Sequence, residues 1–175
     1  MEEKEVINVL QHYRHDLMNN LQVVQGYLTM GRSEKVKSKI ESMLQDYKEE
    51  SRLMGLKAPC FTLWVLRFDH LHSNLRMKYR IKTESKDLST ADKVVTELCK
   101  KTVDWLREAC EETRMYDIIL EVTETETPSR IQVSILLTGE VQHTRMEEQI
   151  LPDERIHVRQ TADGMKCDLF VPLTI

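Results

Sequence analysis

The sequence is poor in glycine. Its 175 residues include only five, where an average share of about 7% would give about twelve. No two lie within four residues of each other; they are Gly26, Gly31, Gly55, Gly139 and Gly164. Loops that bind phosphate through backbone amides need several glycines close together. The sequence therefore excludes the Walker motif and the dinucleotide-binding fingerprint.

An excess of basic residues is also absent. Lys and Arg number 25 against 29 Asp and Glu, so the formal net charge is −4. Nucleic-acid binding through counterion release depends on clustered Lys and Arg and favours a basic domain. We therefore expect no nucleic-acid partner.

Long apolar runs and closely spaced cysteines are absent as well. The N-terminus is acidic, and no apolar stretch approaches the ~20 residues of a membrane span. We therefore expect neither a signal peptide nor an anchor, and no membrane partner. The four cysteines include no Cys-x-x-Cys pair; they are Cys60, Cys99, Cys110 and Cys167. Reduced, mostly buried thiols and a cytoplasmic location are the corresponding predictions.

Two amphipathic helices are predicted within residues 1–56. In the first, from Glu3 to about Met30, apolar residues recur every three or four positions, and Gly31 follows as a helix stop. The second has a similar stripe. The two stripes are Leu10, Tyr13, Leu17, Leu21, Val24 and Leu28, then Val36, Ile40, Met43, Tyr47 and, one heptad further on, Met54. Because two helices cannot bury both stripes alone, we expect a homodimer that forms a four-helix bundle.

Residues 57–175 are predicted to form a second domain, which makes the fold class α+β. After Pro59, segments with helical periodicity are mixed with segments in which apolar and polar residues alternate. This order favours a mostly antiparallel sheet with helices on one side. The predicted helices are Cys60 to about Leu75 and Val94 to Glu112. The predicted strands are Met77–Thr83, Tyr116–Thr123, Arg130–Thr138, Arg155–Thr161 and Met165–Leu173, with turns at residues 127–129 and at Asp163-Gly164.

The candidate for chemistry is a histidine on the polar side of the first helix. His15 points about 160° away from Leu17 on a helical wheel, and Gln11, Asn19, Gln22 and Gly26 share its side of the helix. Most exposed histidines have no function, and His12 has a similar direction. A neutral imidazole is nonetheless a good nucleophile near neutral pH. Asp16 could orient the ring or accept its proton, and Asn19 could donate to a transferring phosphoryl oxygen.

These residues resemble a known motif. Arg14-His15-Asp16, two residues, Asn19, one residue and Leu21-Gln22, followed by Gly26-x-Leu28, are similar to the phosphoacceptor box of one histidine-kinase subgroup. The same box is found in the histidine phosphotransferases of sporulation phosphorelays.

That resemblance implies a phosphotransferase activity. His15 would accept a phosphoryl group on Nε2 from the aspartate of one response regulator and pass it to a second regulator. Asp16 and Asn19 would assist His15, and Gln11, His12, Arg14 and Gln22 would contact the regulators. Mg²⁺ would come from the regulator's acidic pocket, so no cofactor or metal is expected in this chain. His70 and His72 are a poor metal pair.

The order of elements after Pro59 resembles the ATP-binding domain of histidine kinases. The segment from Gly164 to Leu173 is similar to the last strand of that domain. The predicted helix from Val94 to Glu112 contains no asparagine for Mg²⁺, and Leu137–Val141 lacks the aspartate and the second glycine of the adenine loop. The resemblance thus implies a degenerate kinase-like domain. Two alternatives stay open: an active kinase with a divergent ATP site, and a non-catalytic dimeric adaptor for regulators.

Overall fold

A computed structural model describes residues 3–83, 87–125, 130–139 and 153–173. The chain divides into two compact units, Met1–Ser51 and Arg52–Ile175. The domain boundary between residues 56 and 57 stays a prediction.

The first unit consists of two long helices. Helix α1 spans Glu3–Thr29 and α2 spans Ser33–Gly55, with its last turn in the second unit. Between them the amide of Arg32 donates to the carbonyl of Tyr27 and that of Gly31 to the carbonyl of Leu28, at 2.9 and 3.0 Å. Gly31 has φ +66°. This is a Schellman termination with glycine in the left-handed position, and it confirms Gly31 as the helix stop.

The described part of the second unit contains three short or medium helices and five strands. The helices are α3 (Pro59–Leu66), α4 (Phe68–Leu71) and α5 (Asp92–Glu108). The strands are β1 (Leu75–Ile81), β2 (Tyr116–Glu124), β3 (Arg130–Thr138), β4 (Ile156–Thr161) and β5 (Gly164–Pro172). The strand order is β1-β2-β3-β5-β4, with β1–β2 parallel and the other pairs antiparallel. The α+β class with a helical N-terminus is thus confirmed.

The core of the second unit lies between the helices and one side of the sheet. Alternate residues of β2, such as Ile118 and Leu120, are fully buried, as period-2 patterning requires. Helix α5 packs against α3 and against β3 and β5. The residues predicted to face inward on this helix are all buried: Val95, Leu98, Val103, Leu106 and Ala109.

The predicted helix from Cys60 to Leu75 is wrong in its second half. Helical structure is interrupted at Arg67 and ends at Leu71, and Leu75 begins β1. The carboxylate of Asp69 accepts a hydrogen bond from the amide of Met77 at 2.8 Å, which ties the end of α4 to the strand. Pairing of Leu75 with Tyr116 starts the strand two residues before the predicted Met77. Tertiary pairing has overridden the local apolar pattern here.

Other element boundaries also differ from the prediction: β1 ends at Ile81 rather than Thr83, β4 begins at Ile156 rather than Arg155, and β5 ends at Pro172 rather than Leu173. Helix α5 begins at Asp92 and ends at Glu108, not at Val94 and Glu112. The β4–β5 turn is residues 162–163, because Gly164 pairs with Thr161 and opens β5. The predicted turn at residues 127–129 lies outside the described residues.

Asp92 fixes the start of α3, a role that the sequence did not indicate. Its two carboxylate oxygens accept hydrogen bonds from the amides of Cys60 and Phe61, at 2.9 and 2.8 Å. These amides lie at the N-terminus of α3 and have no partner within the helix. A residue of α5 therefore satisfies them and joins the two helices.

No helix in the described ranges is long and apolar enough to cross a membrane.

Candidate phosphoacceptor site on the first helix

His15 lies near the middle of α1 and is exposed. Its side chain is 71% exposed and that of Asp16 is 62% exposed. The rigid backbone of α1 holds the ring in place, while the apolar stripe through Leu17 lies on the opposite side. The predicted outward direction of His15 is therefore reflected in its exposure.

Two side chains contact the same nitrogen of the imidazole ring. The Asn19 amide nitrogen lies 3.2 Å from His15 Nδ1, and Asp16 Oδ1 lies 3.4 Å from it. The residue four positions later on a helix lies over the same surface, which explains the Asn19 contact. Nδ1 can accept from the amide or donate to the carboxylate, but not both at once. Asp16 therefore favours the tautomer with its proton on Nδ1, and the Asn19 amide nitrogen favours the other.

The remaining predicted site residues are exposed on α1. Only Asp16 and Asn19, of the predicted residues, have a described hydrogen-bonding distance to the ring of His15. The others belong to the surrounding helix surface: Gln11, His12, Arg14 and Gln22. The predicted contact of Asn19 with a phosphoryl oxygen stays a prediction, since its amide lies at Nδ1 here.

A polar cluster within the apolar stripes was missed by the sequence analysis. The side chain of Tyr13 interacts with Glu50 and Tyr47 of α2. Burial, followed by the negative charge of Glu50, raises the pKa of Tyr13, and burial raises the pKa of Glu50. The cluster joins α1 to α2 two residues from His15. The signal in the sequence was the presence of two tyrosines in stripes otherwise made of aliphatic residues.

The described residues include no group of three or more His, Cys, Asp or Glu side chains that could hold a metal ion. His72 instead packs its ring on Phe68, with centroids 4.3 Å apart. Burial is the main cause that lowers the pKa of His72, and the charge of Arg107 adds to it.

Three of the four cysteines are buried free thiols, as predicted, and Cys60 is exposed. Burial raises the pKa of Cys110 to about 11 and, with Asp168, that of Cys167 to about 12. These two thiols are therefore poor nucleophiles near neutral pH.

Residues 1–56 match the family model described as the sensor kinase SpoOB-type, alpha-helical domain. The chain is also 37% identical over 97 residues to sporulation initiation phosphotransferase B of Bacillus subtilis (strain 168). That match covers 55% of this chain and 50% of the relative. The chain thus spans about half the length of the curated relative that it matches.

Solved histidine-kinase structures are similar to this chain at low identity. The complex of histidine kinase ThkA with response regulator protein TrrA matches with 12% identity and a TM-score of 0.46, covering 98% of this chain and 64% of that one. The blue-light activated histidine kinase EL346 of Erythrobacter litoralis matches with 13% identity and a TM-score of 0.47, covering 91% and 59%.

The family match to residues 1–56 contains the whole box from Arg14 to Leu28, from which the resemblance was inferred. The chain is thus similar to sporulation initiation phosphotransferase B, and its first 56 residues match the SpoOB-type alpha-helical domain.

Proposed function

We propose that this protein is a histidine phosphotransferase of a sporulation phosphorelay. His15 takes a phosphoryl group from the aspartate of one response regulator and passes it to the aspartate of a second. The observation that carries the proposal is the exposed His15 ring within the SpoOB-type domain, with Asp16 and Asn19 at its Nδ1 atom. The similarity to a phosphotransferase supports the reaction class.

The transfer begins with a neutral ring that carries its proton on Nδ1. The lone pair of Nε2 attacks the phosphorus of the aspartyl phosphate, the bond from phosphorus to the carboxyl oxygen breaks, and the carboxylate of the regulator is restored. The ring now carries positive charge shared with Nδ1–H. Asp16 Oδ1, 3.4 Å from Nδ1, stabilises that charge without leaving its position. The reverse sequence delivers the phosphoryl group to the second regulator.

Asn19 acts at the same nitrogen. With the amide turned so that its oxygen faces the ring, Asn19 accepts the Nδ1 proton and supports the reactive tautomer; with its nitrogen facing the ring it opposes that tautomer. Gln11, His12, Arg14 and Gln22 form the surrounding surface that contacts the regulators. Mg²⁺ is supplied by the regulator, as positioning and charge neutralisation at a phosphoryl group require.

A homodimer completes the bundle in this proposal. The apolar stripes of α1 and α2 remain exposed in a single chain, for example at Leu10, Leu28 and Ile40. A two-fold partner would cover them and form a four-helix bundle with His15 on its outside.

The decisive experiment supplies phosphate from two sources. The purified protein is mixed with a phosphorylated response regulator and, separately, with labelled ATP. We expect base-stable, acid-labile label from the regulator alone. Label from ATP would instead establish the active-kinase alternative, and no label from either source would favour the non-catalytic adaptor.

Three variants assign the label to its residue. His15→Gln is expected to lose the label completely, whereas His70→Gln, at an exposed position of α4, is the matched control that keeps it. Asn19→Ala is expected to transfer about tenfold more slowly, with unchanged helicity, since a positioned hydrogen bond contributes about 1–1.5 kcal/mol. A wild-type rate for Asn19→Ala would remove this residue from the mechanism.

A further inference from the structure

The side of the sheet that faces away from the helices carries a defined row of side chains. The strand register aligns Lys78 with Ile119, Ile119 with Leu136, Leu136 with Lys166, and Lys166 with Arg159. The row therefore reads cation, apolar, apolar, cation, cation from one edge of the sheet to the other. We call the surface that contains this row the outer sheet surface.

One edge of the outer sheet surface is a line of cations along β1. They alternate with apolar residues, so all four point to the same side: Arg76, Lys78, Arg80 and Lys82. Lys82 Nζ lies 3.0 Å from Glu121 Oε1, and Lys78 Nζ lies 4.0 Å from Asp117 Oδ2. Glu121 is only 24% exposed while Lys78 is 76% exposed. Glu121 thus lies deeper than the cations that surround it.

The other edge is built around a buried carboxylate. The side chain of Asp168 is 9% exposed, and it accepts hydrogen bonds from Ser134 Oγ at 2.5 Å and Gln132 Nε2 at 2.9 Å. Its oxygens also lie 3.0 Å from Arg159 Nη2 and 3.7 Å from Lys166 Nζ. Arg159 remains 60% exposed. Because a guanidinium has five N–H donors, Asp168 holds Arg159 in place without exhausting its capacity for another carboxylate.

The outer sheet surface is positive although the chain is acidic. Among the described residues, this surface carries seven cations, six at its two edges and Arg130 on β3, and three carboxylates: Asp117, Glu121 and Asp168. The surplus of four positive charges contrasts with a formal net charge of −4 for the whole chain. Between the two edges lie the half-buried apolar side chains Ile119 and Leu136.

We propose that the outer sheet surface binds an acidic amphipathic helix of a partner protein. Lys78 on β1 and Arg159 on β4 are four strand spacings apart, about 19 Å, and a helix with its side chains is about 10–12 Å wide. Because the guanidinium of Arg159 reaches over β5 to Asp168, the gap between the two cations is narrower than the distance between their strands. Such a helix lies along the strands, places its apolar stripe on Ile119 and Leu136, and directs carboxylates to Lys78 on one side and Arg159 on the other. An apolar centre with a charged rim is the usual anatomy of a protein interface.

The observations favour a protein helix over a polyanion. Binding of single-stranded nucleic acid uses several aromatic rings on which bases stack. The aromatic side chain described on this surface is Phe170, and its ring is already in edge contact with His157, with centroids 5.5 Å apart. The net negative charge of the chain also opposes a long polyanion, whereas a short acidic helix needs only the local charge.

The test uses a synthetic probe and the full chain. The probe is a fluorescein-labelled 18-residue peptide of Leu and Glu, with Leu at helical spacing so that it has one apolar stripe. A scrambled peptide of the same composition keeps the charge and destroys the stripe. Fluorescence anisotropy at low and at high salt measures the dissociation constants. We expect the patterned peptide to bind at least about tenfold more tightly than the scrambled one, a difference of about 1.4 kcal/mol, and to weaken as salt is added.

Variants locate the bound peptide. Lys78→Glu and Arg159→Gln act on opposite edges and are each expected to weaken binding about tenfold. Leu136→Ser is expected to weaken binding of the patterned peptide and to leave its salt dependence unchanged. Lys93→Glu makes the same charge change as Lys78→Glu at an exposed position of α5, and we expect it to change binding less than about twofold.

Several results would overturn the proposal. One is equal affinity of the protein for the two peptides. A second is a loss of affinity in Lys93→Glu as large as that in Lys78→Glu. A third is unchanged affinity in both Lys78→Glu and Arg159→Gln, which would place the peptide elsewhere, for example on the exposed stripes of α1 and α2. Tighter binding of oligothymidine or of phosphatidylglycerol vesicles than of the patterned peptide would also overturn it. The inference is independent of the proposed phosphotransfer, because His15→Gln is expected to bind the peptide like the wild type.

Discussion

The two units bury their apolar side chains in opposite ways. In the second unit, Phe61, Leu75 and Leu120 are completely buried, so this unit closes a core by itself. In the first unit, Leu10 is 57% exposed, and Leu28 and Ile40 are exposed as well. The comparison shows that the apolar stripes of the hairpin remain exposed within one chain, while the described strands and helices of the second unit enclose a core of their own.

The largest expected effect comes from truncating one leucine in each unit. Leu120→Ala removes a fully buried side chain and is expected to lower the free energy of unfolding by about 2–5 kcal/mol. Leu10→Ala is expected to cost less than about 1 kcal/mol within one chain, because its side chain is already mostly in water. Both tryptophans, Trp64 and Trp105, lie in the second unit, so urea unfolding followed by their fluorescence measures the effect of Leu120→Ala. Urea unfolding followed by far-UV circular dichroism, which also detects α1 and α2, measures the effect of Leu10→Ala.

The same pair of variants tests the proposed dimer. Sedimentation velocity is expected to show weaker self-association for Leu10→Ala and unchanged self-association for Leu120→Ala under native conditions. If the Leu10 variant sediments like the wild type at every concentration, then α1 is not part of a dimer interface near this residue.

A smaller effect is expected from one glycine in each unit. Gly164 has φ +142°, and a Cβ there would overlap the carbonyl oxygen of Leu137 on β3. Gly164→Ala is therefore expected to cost about 3 kcal/mol. Gly26 lies within α1 with nothing within 4 Å of an added Cβ, so Gly26→Ala is expected to stabilise the helix by about 0.5–1 kcal/mol.

Thermal unfolding followed by circular dichroism checks the glycine prediction. The two changes in stability need not be equal in size. A destabilised Gly26→Ala variant would show that another part of the protein packs against α1 at this position. Normal helicity combined with slower phosphotransfer in Gly26→Ala would place this part of α1 in contact with the regulator.

The smallest expected effect concerns acid stability in the loop before α5. Hydrogen bonds from Ser89, together with Lys57 Nζ at 3.0 Å, lower the pKa of Asp87 from 3.8 to about 2. A carboxyl whose pKa is lower in the folded than in the unfolded state stabilises the fold above its unfolded pKa. That stability is lost as the pH falls from about 4 towards 2.

Asp87→Asn is therefore expected to reduce the loss of stability between about pH 4 and pH 2 relative to the wild type. Urea midpoints measured across this range check the prediction, and Asp163→Asn in the β4–β5 turn is the control with the same change of charge. An identical slope for Asp87→Asn and the wild type would mean that the Lys57 and Ser89 interactions do not stabilise the folded state.

Local patterns predicted most of the elements and the position of the candidate site. The spacing of apolar residues predicted α1 and α2, and Gly31 predicted the turn between them. Both signals are local, because helical periodicity and a left-handed glycine are set by residues close together in the sequence. The prediction of a helix up to Leu75 is wrong because a distant residue decides the structure there. Leu75 belongs to a strand, since Tyr116, 41 positions away, pairs with it. A short apolar run does not distinguish a helix from a strand until its partner is known.

The polar contacts show the same division. Asp16 and Asn19 lie within four positions of His15, and a helix brings such residues together without help from the rest of the fold. Asp92 caps α3 across 31 positions, Ser134 reaches Asp168 across 34, and Tyr13 meets Glu50 on the other helix. These contacts depend on the register of the sheet and on which helices pack together, and no local sequence pattern specifies either.

The sequence by itself determined the exposed position of His15 on the polar side of a helix, the lack of a glycine-rich phosphate loop and the α+β class, because each follows from spacing or composition along a short stretch. The tertiary structure alone decided that β1 runs parallel to β2 and that Lys78, Lys166 and Arg159 share one surface. It also decided that Asp168 is buried among its four partners. Those arrangements arise only when strands distant in sequence pair in one register, and with that register the chain acquires a surface whose charge is opposite to its own.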